Sequence, residues 1–174
     1  MVLNDKKSEK VLKKALKQLR KSQVGILACE EISELITELS KEKSGQGSFE
    51  DLCEEVADCR IFINLVIRTS KINPEEIRRR KKKAKRAFND FLFHNLESVN
   101  KESVIFELAN LQKAICKSAR KRKNKDDIID KIVAVELSFE YLDNIGVIRE
   151  EDVEKWYYRK LGRMKKRIAK HNIV

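Results

Sequence analysis

Glu30-Glu31-Ile32-Ser33-Glu34, a Gly-containing linker, and Glu54-Glu55-Val56-Ala57-Asp58 form the stretch from which the rest of the chain is read. On a helix, residues three or four apart share a face, so Glu31 and Glu34 point one way and Glu55 and Asp58 do the same on a second helix. The two pairs of carboxylates then face each other. Four like charges held that close repel and raise one another's pKa, so a positive partner between them is required. A hard, oxygen-seeking cation such as Mg²⁺ fits that requirement best.

The flanking residues predict helices throughout. Val11, Leu12, Ala15, Leu16 and Leu19 recur at helical spacing between residues 3 and 21, with lysines on the other face. Ser22 is expected to cap a second helix whose stripe, Val24, Leu27, Ala28, Ile32, Leu35, Ile36 and Leu39, runs to Lys41. Glu31 and Glu34 border that stripe. The segment 43–48 reads as a loop, and Ser48 with Asp51 as the start of a third helix that reaches about Ser70 along Leu52, Val56, Cys59, Ile63, Val66 and Ile67. Asn73-Pro74 is a strong helix start. The fourth helix carries the basic run Arg78 to Arg86, expected to be solvated, and then Phe88, Phe91 and Leu92, expected to dock.

From about Asn100 the pattern begins again. An ungapped offset of 107 − 31 = 76 sets Glu31 on Glu107, Leu35 on Leu111, Leu52 on Ile128, Val56 on Ile132 and Ile77 on Val153. The same offset places Asn110, Lys131 and Ala134 where Glu34, Glu55 and Asp58 stood, so the second copy keeps one acid of the four. Its closing helix instead interleaves Trp156, Tyr157, Leu161, Met164 and Ile168 with Lys160, Arg163, Lys165, Lys166 and Arg167. The fold class is therefore all-α: a helical bundle of two tandem repeats, residues 1–97 with the intact acidic motif and 98–174 packed on them as a degenerate copy.

Composition bounds the class. With 174 residues, 41% hydrophobic and 39% charged, one proline and five glycines, the chain can fill one core with long helices. The balance of 39 Lys+Arg to 28 Asp+Glu, a net +11, attracts polyanions without choosing among nucleic acid, anionic membrane and nucleotide phosphates. Cys29, Cys53, Cys59 and Cys116 form no CxxC pair and His94 and His171 lie far from them, which disfavours zinc. There is no signal-like or membrane-spanning apolar run, and a cytoplasmic protein with reduced thiols is expected.

Gln23-Val-Gly-Ile-Leu-Ala-Cys-Glu30-Glu31-Ile-Ser-Glu34-Leu-Ile, followed by Glu54-Glu55-Val-Ala-Asp58, resembles the EExxE…ExxD signature of the MazG-like all-α nucleotide pyrophosphohydrolases. Val153 to Arg167 is similar to that family's C-terminal helix, and the two repeats together cover nearly the whole chain. The resemblance implies hydrolysis of a nucleoside triphosphate between the α and β phosphates, with Mg²⁺ held by Glu31, Glu34, Glu55 and Asp58 as the catalytic set. Glu30 or Glu54 would hold an outer-sphere water, and Lys160 and Arg163 would contact phosphate. Family members assemble from small protomers, so a tandem MazG-like chain is a single-chain pseudo-dimer, with further pairing into a homo-oligomer left open.

Other readings of the same residues stand beside this one. The acids could be solvated helix-face carboxylates. The Arg78–Arg86 run could be a solvated face or a nucleic-acid contact. Trp156, Tyr157 and Tyr158 could pack between halves or stack on a base, and Phe49 could cover one. A basic nucleic-acid-binding protein and a non-catalytic helical scaffold are the alternative functions.

Overall fold

A helix apolar on almost every side has to lie in the middle of a protein, and residues 49–69 supply one. In the computed structural model, which describes residues 6–94, 101–120 and 124–170 and the side chains of these except 87–94, helix α3 (Phe49–Thr69) buries every residue from Cys59 to Ile67. Around it stand α1 (Lys6–Gln18), α2 (Lys21–Lys43), α4 (Pro74–His94), α5 (Lys101–Ala119), α6 (Lys125–Asn144) and α7 (Glu150–Ala169). The protein is an all-α bundle, and the described residues include no strand.

Local chemistry sets the helix starts. Ser48 Oγ accepts the Asp51 N–H at 3.3 Å, and Asn73 Oδ1 accepts that of Glu75 at 3.0 Å with Pro74 as the first helical residue. Ser22 does not cap α2. Gln23 Oε1 accepts the Arg20 N–H at 2.8 Å, so the helix begins at Lys21 and Ser22 lies within its first turn. Between α2 and α3 the chain folds back so closely that a Cβ on Gly47 would sit 2.6 Å from the Glu42 backbone, a place only glycine can occupy.

The packing order is an exchange. Helix α2 packs on α3 and α5 on α6, and α2 meets α5; α7, however, lies on α3, and α4 lies on α6. Helix α1 covers α7 and part of α3. The starts of α3 and α4, residues 49 and 74, recur at 125 and 150 in α6 and α7, each 76 residues on. The matched positions Leu35 and Leu111, Leu52 and Ile128, Val56 and Ile132, and Ile77 and Val153 are all buried.

Two charged positions sit inside this core. Arg60, 2% exposed, makes a two-pronged pair with Glu150 at 2.7 and 2.9 Å and lies 5.4 Å from the Phe139 ring centre. Glu136, also 2% exposed and 76 positions beyond Arg60, accepts from Lys81 at 3.0 Å.

The basic run on α4 is mostly exposed, as expected, but three of its eight basic side chains also pair across to α6. Arg80 bonds Asp126 and Asp130, and Lys81 and Lys85 bond Glu140, an ion-pair seam that holds α4 to α6. Phe88, Phe91 and Leu92 lie outside the described side chains. The cysteines are free: Cys53 and Cys59 are buried, while Cys29 and Cys116 bring their Sγ atoms to 3.6 Å across α2 and α5.

Candidate carboxylate site

Helices α2 and α3 place Glu31, Glu34 and Glu55 so that one carboxylate oxygen of each lies within 4.8 Å of the others. Glu31 and Glu55 are half-buried and Glu34 is exposed, so the cluster opens to solvent on one side. One oxygen of Glu55 is buried with no hydrogen-bond partner. A buried carboxylate oxygen without a donor is costly, and a positive partner there would relieve it.

Burial drives the titration. Loss of water, reinforced by the charges of Asp58, Glu34 and Glu55, pushes Glu31 up to about 8. The same cause, with Asp58 and Glu34 as the main neighbours, pushes Glu55 up to about 7. Asp58 is raised too, burial outweighing the Lys160 ammonium beside it.

Asp58 stands at the edge of this group. Its carboxylate accepts from Lys160 of α7, whose ammonium also reaches Glu54 at 2.5 Å. Arg163, one turn further along α7, lies 3.3 Å from Glu54. Glu54 thus anchors two cations, and Glu30 is exposed. Of the six candidate residues, three share a ligand-sized space, Asp58 and its partner Lys160 adjoin it, and Arg163 meets Glu54 rather than the clustered acids. Glu107, Asn110, Lys131 and Ala134 occupy the equivalent places on α5 and α6, and no second acid cluster of this kind occurs among the described residues.

Beside Arg163, Trp156 lines a groove of about 350 Å³ with Phe49, Arg149 and Arg159. Arg159 and Arg163 stand 4.6 and 5.9 Å from its ring, and Arg149 stands 5.0 Å from Phe49. Tyr157 is wholly buried and packs edge-on against Tyr158 at 5.8 Å, so its ring belongs to the core and cannot stack on a ligand.

Sequence spacing did not reveal the Lys160 contact, which joins residues 102 positions apart, or the Arg60–Glu150 pair. Arg60 had a signal nonetheless, as the one basic residue inside the apolar run of α3. Compared with known proteins, the chain matches no family model, no curated protein and no solved structure. No described helix is long and apolar enough to cross a membrane. The class defined so far is an all-α bundle with a half-buried carboxylate cluster and Lys160 beside it.

Proposed function

We propose that this protein is a Mg²⁺-dependent nucleoside triphosphate pyrophosphohydrolase of the MazG-like kind, with one active site in a single-chain pseudo-dimer of repeats 1–97 and 98–174. The observation that carries the reading is the triad of Glu31, Glu34 and Glu55 oxygens within 4.8 Å of one another, with Lys160 of α7 on the adjoining Asp58 and both Lys160 and Arg163 on Glu54. The recurrence of helix starts after 76 residues and the exchange of α4 and α7 support the repeat. Four free thiols suit a cytoplasmic setting.

The donor set fits a hard divalent ion: all oxygens, three carboxylates with Asp58 adjoining, and a buried oxygen without a donor. Bound there, such an ion neutralises phosphate charge and acidifies a water. Everything else falls to the chain. Glu31 and Glu55 give up their protons to become ligands. Lys160 and Arg163 present fixed positive charge where the triphosphate lies and where charge builds up. In the reaction, water oxygen bonds to the α phosphorus while the bond from that phosphorus to the bridging oxygen breaks; monophosphate, pyrophosphate and a proton leave.

The test is pyrophosphate release from a panel of ribo- and deoxyribonucleoside triphosphates, with and without Mg²⁺, for the wild type, Glu34→Ala and Asp58→Ala. Metal-dependent release in the wild type that both variants lose, with helicity intact, is the expected result. Absence of release from every triphosphate sinks the proposal and favours a scaffold.

A further inference from the structure

Five of the eight described basic side chains on α4 have an acid partner. Arg78 bridges Glu75, Arg79 bridges Glu76, and Arg80, Lys81 and Lys85 are engaged across α6. Lys82 and Lys83 are left facing solvent.

Helices α1 and α7 differ. Lys6, Lys10, Lys13 and Lys17 stand at i, i+4, i+7 and i+11, a single stripe along α1. Arg159, Arg163, Lys166 and Lys170 repeat that spacing along α7 and its C-terminal cap. In each helix the buried residues, Val11, Leu12 and Ala15 in one, Tyr157, Leu161 and Ile168 in the other, lie on the opposite side. The two helices pack on each other, and both contact α3. Gln18 Nε2 donates to the Ile168 carbonyl at 2.9 Å, tying their C-terminal ends together. Each stripe therefore lies on the solvent side of its helix, and the two helices are neighbours. The supply of acid there is small: Glu9 serves Lys13, Glu54 serves Arg163, and residues 159–170 contain no Asp or Glu. Lys10, Lys17, Lys166 and Lys170 are exposed and have no ion partner among the described residues.

We propose that this α1–α7 face binds the phosphate backbone of double-stranded nucleic acid without reading its sequence. Each stripe spans twelve residues, about 16 Å of helix from first to last, and a duplex strand offers one phosphate per about 3.4 Å of axis, so several charges engage at once. A bilayer is disfavoured because surface helices need an apolar wedge. The exposed large hydrophobics Ile26, Phe49, Phe106 and Ile145 all lie off these two helices. Trp156, half-buried beside Arg159 and Arg163, is the one described ring that meets the stripes, and a single ring makes no row on which successive single-stranded bases stack.

The experiment is fluorescence anisotropy of the full chain with labelled duplex DNA, duplex RNA and single-stranded DNA, and co-sedimentation with phosphatidylserine vesicles. Duplexes of unrelated sequence are expected to bind alike. With four or five phosphates engaged, raising salt from about 50 to about 200 mM should weaken binding by roughly a hundredfold or more. The variant Lys10→Gln/Lys17→Gln/Lys166→Gln/Lys170→Gln, with helicity checked by circular dichroism, should bind at least about tenfold more weakly with a flatter salt slope. Lys82→Gln/Lys83→Gln on α4 should bind as the wild type does. Either duplex, DNA or RNA, satisfies the proposal. It is overturned by no duplex binding at low salt, by tighter binding to vesicles or single strands, by wild-type affinity in the fourfold variant, or by loss of binding in the α4 variant.

Discussion

Glu31 and Glu55 sit where water is scarce and other acids are close, so in the fold they hold protons that the unfolded chain has already released. Between about pH 4.5, the ordinary glutamate value, and about 8 for Glu31 or about 7 for Glu55, the folded state binds more protons. Stability from these groups is therefore fully present below about pH 4.5 and is lost as pH rises through about 8. In chelator, Tm should fall across that window, and millimolar Mg²⁺ should reverse the loss by binding the ionised form. A Tm rising with pH in chelator would contradict this. Glu34→Gln removes one of the repelling charges, so thermal unfolding at pH 8 in chelator should show it more stable, on the order of 1 kcal/mol, while activity disappears. Lys160→Met acts the other way. Asp58 loses its cation and Glu54 one of its two, and pyrophosphate release should drop by about a hundredfold or more. Release within a fewfold of wild type would remove Lys160 from the phosphate-binding role.

At the scale of the element, the ion pair between α3 and α7 fixes the position of the site. Arg60 and Glu150 join the middle of one helix to the first residue of the other, and Lys160 projects from α7 nearly three turns further on. Arg60→Ala takes the partner from Glu150, whose side chain is 40% exposed and turns to water. It should cost about 1.5–3 kcal/mol, read as a Tm lower by roughly 5 °C. A change within a degree or two would mean that water already shares this pair.

How much of this was legible follows from the range over which each signal acts. The period of 3.6 wrote Glu31, Glu34, Glu55 and Asp58 beside apolar stripes, and Ser48 and Asn73-Pro74 marked helix starts, because those interactions span a few residues. The start of α2 was misplaced because serine is a common cap, while Gln23 competes for the same turn through Arg20. The pairing of the α4 run across to α6 was not legible because Asp126, Asp130, Glu136 and Glu140, which neutralise part of it, lie about 50 positions away.

For the molecule as a whole, the exchange of α4 and α7 means that neither half has a complete interior. Unfolding in urea should be a single transition, coincident by circular dichroism and by the fluorescence of Trp156, the one tryptophan, which reports the α3–α7 side. Two separated transitions would show halves that stand alone.

The packing of α7 on α3 also sets an order in time. During synthesis the four carboxylates leave the ribosome roughly 100 residues before Lys160 does, so for most of translation they have no counter-charge and α3 has a bare flank. A nascent chain in that condition is a substrate for chaperones and proteases. Release of the last helix is then the closing step of folding, and a product truncated before α7 would carry all four acids without Lys160 and with the α3 flank uncovered.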